Sequence, residues 1–186
     1  MVNSFYDSGE NYEIPNASGY FKFEEGENMF RILGSFSEKK AIQGISYWTT
    51  IEGKRRPVRL PKNADGTFPV VPVEQLEINK FGDADVPKYF WAFPVWDYQE
   101  KKVKILEITQ KKIIKYIQAM IANPKWGDPR EYDLIITKEK NNGKVEYTCS
   151  CNPKESLSQE IIDIYGQTPI NIHVLFTGGN PFAQEE

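Results

Sequence analysis

Apolar residues recur at every second position in several short stretches of this chain and at helical spacing in only two, a pattern that predicts short strands with few helices. Tyr20 to Phe36 alternates in two pieces, one ending at Glu25 and one beginning at Met29, with Gly26 between them, which reads as a bent or paired strand. Gly44–Thr50 (GISYWTT) and Arg55–Leu60 (RRPVRL) flank Ile51-Glu52-Gly53-Lys54, whose glycine suits a hairpin turn. Lys88–Asp97 (KYFWAFPVWD) and Val103–Ile108 (VKILEI) make a second pair around the polar stretch Tyr98 to Lys102. Asp133–Glu139 and Lys144–Ser150 make a third around Asn141-Asn142-Gly143, a strong local hairpin signal.

The helical periods are separate from these. Thr109 is placed to cap a helix that carries Ile113, Ile114, Ile117, Met120 and Ile121 on one face and stops at Asn123-Pro124. A second helix is expected from Ser156 to Tyr165, then a last strand from Ile170 to Phe176. Residues 61–87 hold Pro61, Pro69, Pro72 and Pro87 and read as an extended loop. Short strands with two isolated helices fit a mainly β fold, an OB-like antiparallel β-barrel, better than a parallel βαβ sheet; a β-sandwich is the competitor. The expected organisation is a flexible N-terminal arm over 1–19, one domain over 20–177 and a short acidic C-terminal tail over 178–186.

Composition changes this picture in two places. Hydrophobic residues at 40% and charged residues at 26% suit a globular chain of 186 residues, but aromatic residues reach 13%. That excess serves a core or an exposed stacking surface. The net charge of −3 argues against a polyanionic partner until its distribution is read. Residues 1–28 hold six acids and only Lys22 as a base, whereas residues 38–62 hold seven bases against Glu38 and Glu52, a local net charge of +5. A localised polyanion site on an acidic protein follows as an expectation. Cys149 and Cys151, one residue apart, share a face in a strand and are expected as buried reduced thiols. No apolar run reaches membrane-spanning length and the N-terminus lacks signal-peptide character, so a cytoplasmic protein is expected.

A sequence-tolerant binder of single-stranded DNA needs cations for the phosphates and aromatic faces for unstacked bases. Tyr47 to Arg59 supplies both. Tyr47 and Trp48 are both candidate DNA contacts; they lie on opposite faces of a strand, so at most one stacks on a base while the other packs inside, and Trp48 is preferred for stacking. Lys54, Arg55, Arg56 and Arg59 are the candidate phosphate contacts, and the competing reading is a solvated hairpin with a core aromatic. The second candidate segment is Lys88, Tyr89 and Trp91; Tyr89, Trp91 and Phe93 share one face of their strand, Phe90 and Ala92 the other. Lys101, Lys102, Lys104, Lys111, Lys112 and Lys115 form a further basic cluster that reads more simply as a solvated turn and polar helix face.

In this order, YFKFEEGENMFRIL, KYFWAFPVWDYQEKKVKILEITQKKIIKYIQAMI and NPKWGDPREYDLIITKEKNNGKVEYTCS resemble the single-stranded DNA-binding proteins of tailed bacteriophages over residues 20–150. The features that carry the likeness are EGEN before Arg31, an aromatic strand ending at Asp97, a helix after EIT, and a WGDP turn before YDLIITK. The resemblance implies an OB-fold, a role coating exposed strands in replication, recombination or repair in the cytoplasm of an infected bacterial host, and no catalysis. It also implies recruitment of replication or recombination proteins by an acidic tail, here a short one with Phe182, Glu185 and Glu186. Some relatives carry structural zinc; with one histidine and a Cys-x-Cys pair, no zinc and no cofactor are expected here. The alternatives are a metal-dependent nuclease assembled from Asp83, Asp85, Asp128, Asp133 and Lys138, and a protein-interaction module using the aromatic surface. His173, expected in an apolar strand, has no nucleophile partner.

Overall fold

A computed structural model of the chain describes residues 19–183. Residues 1–18 of the expected 1–19 arm, and residues 184–186 of the tail, lie outside the described residues. The strands are β1 (Gly26–Ile32), β2 (Ile42–Ile51), β3 (Lys54–Pro61), β4 (Lys88–Asp97), β5 (Lys102–Ile108), β6 (Leu134–Asn141) and β7 (Lys144–Cys151); the α-helices are α1 (Lys111–Ala122) and α2 (Gln159–Gln167). All seven strands join one antiparallel sheet in the order β3-β2-β4-β1-β6-β7, with β5 also on β4.

The central strand β4 sets the topology. One edge pairs with β5 from Trp91 to Asp97; the other is shared, first by β2 (Lys88 to Ala92) and then by β1 (Val95 to Asp97). Pro94 sits at the handover, where its carbonyl accepts from Leu33 N–H (2.9 Å) and its missing N–H leaves nothing unpaired. From Phe90 to Asp97 every residue of β4 is buried, because both faces of the sheet are covered. On one side Trp91, Phe93 and Val95 join Phe30, Leu106, Leu134, Ile136 and the α1 residues Ile113, Ile114 and Ile117. On the other, Phe90 and Ala92 pack with Ile42, Ile105, Ile172 and Leu175, and Trp96 packs with Ile161 of α2.

The mainly β architecture with two α-helices is thus the observed one, and the sheet is single, not a sandwich. Among the described residues the ladders end at β3, β5 and β7, so the barrel stays open. A parallel bridge from Tyr20 to Ile105 covers part of the β5 edge. Three local expectations are corrected. The α1 N-cap is Gln110 and not Thr109, with no side-chain cap. The second helix begins after Ser158, whose Oγ accepts from Ile161 N–H. The expected last strand is a 3-10 helix, Ile172–Thr177, and His173 in it is exposed, with Nε2 3.0 Å from the Lys39 carbonyl. Beyond it the chain stays on the body, where Pro181 C=O accepts from Asn171 N–H (2.8 Å) and Phe182 packs against the second core cluster. No helix among the described residues is long and apolar enough to cross a membrane.

Candidate nucleic-acid interface

The hairpin β2–β3 extends past the end of β4, because β4 pairs β2 only from Ile42 to Ser46 while β3 follows β2 to its tip at Ile51–Lys54. The tip turns on Glu52 (φ 50) and Gly53 (φ 75), the left-handed pair that matches strand twist. Strand alternation then divides the candidate residues between two faces. Trp48, Arg55, Arg59 and Lys88 fall on one, given the pairings Thr50 with Arg55, Trp48 with Pro57, and Ser46 with both Arg59 and Lys88. Tyr47, Arg56, Tyr89 and Trp91 fall on the other. Lys54 projects from the tip and is exposed.

On the first face Trp48 is 40% exposed and the Arg55 guanidinium lies over its ring, 4.4 Å from the centroid. Arg55 Nε also donates to Glu77 Oε2 (2.8 Å), and Thr50 Oγ1 donates to Glu77 Oε1 (2.8 Å). These two hydrogen bonds hold the Glu77 carboxyl below the usual carboxylate range. Arg59 does not serve the surface as expected: its guanidinium pairs with Glu107 of β5 in a partly buried bridge. Lys88 is exposed at the base of the hairpin.

On the second face Tyr47 is buried, with its hydroxyl 3.4 Å from Gln75 Oε1. Arg56 is exposed and makes no ion pair among the described residues. Tyr89 is half-buried, donating to Gln43 Oε1 (2.6 Å) and accepting from Trp91 Nε1 (2.6 Å). Trp91 is only 5% exposed and belongs to the core, so its candidacy as a stacking ring is corrected: α1 covers that face. The ring series nevertheless reaches the surface at both ends. Phe36 meets Trp91 edge-on (5.4 Å), Tyr89 stands 6.5 Å from Trp91, and Phe68 meets Tyr89 edge-on (4.9 Å) with Lys62 Nζ 4.9 Å above it. An apolar groove of about 400 Å3, lined by Phe36, Trp91, Phe93, Ile117 and Ile121, opens beside Phe36.

Sequence reasoning did not select Phe36, Phe68 or Glu77. Phe68 had one signal, a large ring isolated in a polar, proline-bounded stretch. Glu77 had none, because its partners come from strands 22 and 27 residues away. The outlying lysines follow the simpler reading except Lys104, which is buried and not solvated. Lys111, Lys112 and Lys115 form the exposed face of α1, and buried Lys104 pairs with Asp97 (2.8 Å) and Glu100 (3.0 Å). Burial works against the Lys104 ammonium, and its two carboxylate partners outweigh it, so its pKa is raised.

Two of the four carboxylates considered for a metal site pair with cationic side chains. Asp133 binds Arg31 (2.7 Å) and the Tyr98 hydroxyl (2.6 Å), and Asp128 caps the 3-10 turn Pro129–Glu131 and pairs with Arg130. Lys138 Nζ donates to Phe23 C=O (3.1 Å). Among the described residues no three His, Cys, Asp or Glu side chains gather to hold a metal ion. Cys149 and Cys151 are free and half-buried on the inner face of β7. No protein-family model matches the chain, and no curated protein matches it.

Proposed function

We propose that this chain is a sequence-tolerant single-stranded DNA-binding protein that coats exposed strands in phage replication, recombination or repair, in the cytoplasm of the infected host, by stoichiometric binding without catalysis. The observation that carries this reading is the exposed Trp48 on a projecting hairpin whose tip bears Lys54, Arg55 and Arg56. One ring face for a base and adjacent cations for phosphates are the two elements such a binder needs. The resemblance over residues 20–150 supplies the biological setting. Recruitment of replication proteins by the tail, in this reading, falls to Glu185 and Glu186, because the Phe182 ring packs on the body.

Titration with oligo(dT) of graded length tests the reading through tryptophan fluorescence. The expected result is quenching, binding in the micromolar range or tighter, a steep loss with salt and much weaker duplex binding. Equal affinity for duplex sinks it. Trp48 is the exposed one of the four tryptophans, so Trp48→Phe should keep most of the affinity and lose most of the quenching.

A second reading, a protein-docking surface, is favoured by the loop between β3 and β4, where Val70 is 92% and Phe81 77% exposed beside exposed Val73, Ile78 and Val86. The double substitution Val70→Ser and Phe81→Ser separates the two. Unchanged oligo(dT) affinity assigns that surface to a protein partner; reduced affinity assigns it to DNA.

A further inference from the structure

Glu77 uses both oxygens on the hairpin: Oε1 accepts from Thr50 and Oε2 from Arg55. Thr50 and Arg55 are partners across the β2–β3 ladder, so their side chains stand together on the face that carries Trp48 two residues before Thr50. The order through space is indole ring, guanidinium, carboxylate. A phosphodiester offers the same donors what the carboxylate offers, two oxygens sharing one negative charge. The guanidinium is already stacked on the ring beside which a base would lie.

The segment that brings Glu77 is fastened loosely to the hairpin. It holds itself by a bridge between Ile78 and Ala84 and by Asp85 N–H to Glu77 C=O (2.7 Å). Towards the hairpin, its hydrogen bonds from this stretch run through the side chains of Gln75 and Glu77. Withdrawing Glu77 therefore breaks no ladder. The Arg55 side chain is 59% exposed, so an incoming oxyanion reaches it from solvent.

We propose that Thr50 and Arg55 form a phosphate subsite of the nucleic-acid interface, that Glu77 occupies it in the unbound protein as an internal substitute, and that a bound strand exchanges the carboxylate for a backbone phosphate. The inference rests on the single-strand-binding reading above. The arrangement discriminates by valency. A free phosphate breaks two hydrogen bonds to make two, and gains nothing more. A strand brings in addition a base for Trp48 and further phosphates for Lys54 at the tip and, once it wraps the tip, for Arg56 on the opposite face, and these contacts drive the exchange. The low pKa of Glu77 keeps the substitute charged across neutral pH.

The test is a set of oligo(dT) titrations at fixed ionic strength with the full chain, Glu77→Gln, Arg55→Gln and the double variant. Glu74→Gln serves as the control, since Glu74 is exposed on the same segment and its loss removes the same charge. Removing the competitor should tighten binding about five- to tenfold, the net worth of one ordinary solvent-screened hydrogen bond, against less than about twofold for Glu74→Gln. In the Arg55→Gln background Glu77→Gln should change affinity by no more than the Glu74→Gln control does. Inorganic phosphate at matched ionic strength should weaken oligo(dT) binding by Glu77→Gln and leave the unaltered chain unaffected. Equal tightening by Glu77→Gln and Glu74→Gln overturns the proposal, as does tightening that persists without Arg55; in both cases strand binding itself stands. Absence of oligo(dT) binding by every form overturns the functional reading and this subsite with it.

Discussion

Arg31 is 2% exposed, and its charge is met at Nε and Nη1: Nε donates to Asp133, and Nη1 to the carbonyls of Arg130 (3.1 Å) and Glu155 (2.9 Å). A buried charge with these partners is costly to orphan, so Asp133→Ala is expected to lower stability by about 3–5 kcal/mol in urea unfolding. A loss below about 1 kcal/mol would mean that water replaces the carboxylate. Loss of any activity in that variant therefore reports on folding before it reports on chemistry. Tyr132 is the opposite case. It is fully buried against Trp126, and its hydroxyl makes no hydrogen bond among the described residues. Tyr132→Phe should stabilise the protein by about 1 kcal/mol, and an unfolding midpoint that falls instead would show a hidden partner. Burial, with repulsion from Cys151, Asp128 and Glu131, pushes the Tyr132 phenol up to about 12. Since the folded value exceeds the ordinary one near 10, its contribution is complete below pH 10 and is lost as pH rises through 12. Urea midpoints measured from pH 9 upward should fall more steeply for the unaltered chain than for Tyr132→Phe.

Between elements, one close approach decides the hairpin's position. A Cβ built on Gly44 would lie 2.1 Å from the Leu60 carbonyl oxygen and 3.1 Å from Phe90. Backbone cannot yield as a flexible side chain can, so Gly44→Ala must push β3 away from β2 and is expected to cost about 3 kcal/mol or more. A variant as stable as the parent by chemical denaturation would show that the two strands part there at little cost. The strands were readable wherever side-chain period and turn chemistry agreed. Lys88–Asp97 has its expected bounds, and β6–β7 turns on Asn142 (φ 50) and Gly143 (φ 77). The misreadings have physical causes. Ile172 and Leu175, three apart, both face the core, and three is the repeat of a 3-10 helix; a run this short does not distinguish that from a strand by period alone. Strand alternation put Tyr47 inside and Trp48 outside, as read. It also sends Arg55 and Arg56 opposite ways, but it did not reveal which neighbours each would meet, or that Arg59 reaches Glu107, because ion pairs depend on which strands meet. Three polar residues of the motifs read in the sequence serve the architecture: Asn28 bonds the Glu24, Gly26 and Ile136 carbonyls, Asp97 caps the β4–β5 turn, and Asp128 caps the 3-10 turn before β6.

For the whole molecule, the proposed function requires a chain of net charge −3 to bind a polyanion. At physiological salt, fields between exposed charges fade within about 8–10 Å, so a strand at the hairpin senses the tip and not the total. Few of the sequence's cations are available there. Arg59 is neutralised by Glu107, Lys104 by Asp97 and Glu100, and Arg130 by Asp128 and Glu38, while Arg55 is held by Glu77. Lys54 and Arg56 are exposed and make no ion pair among the described residues. Each such cation that meets a phosphate adds about 0.7 to the slope of log affinity against log salt for a single strand. Arg56→Ala should therefore lower that slope by about 0.7 in oligo(dT) titrations over a range of KCl, and weaken all sequences alike. Arg59→Ala should leave the slope unchanged and lower the unfolding midpoint, because it removes a structural bridge from β3 to β5 and exposes Glu107. If Arg59→Ala flattens the salt dependence as much as Arg56→Ala does, the strand lies across the inner end of the hairpin, and the tip is not where the phosphates bind.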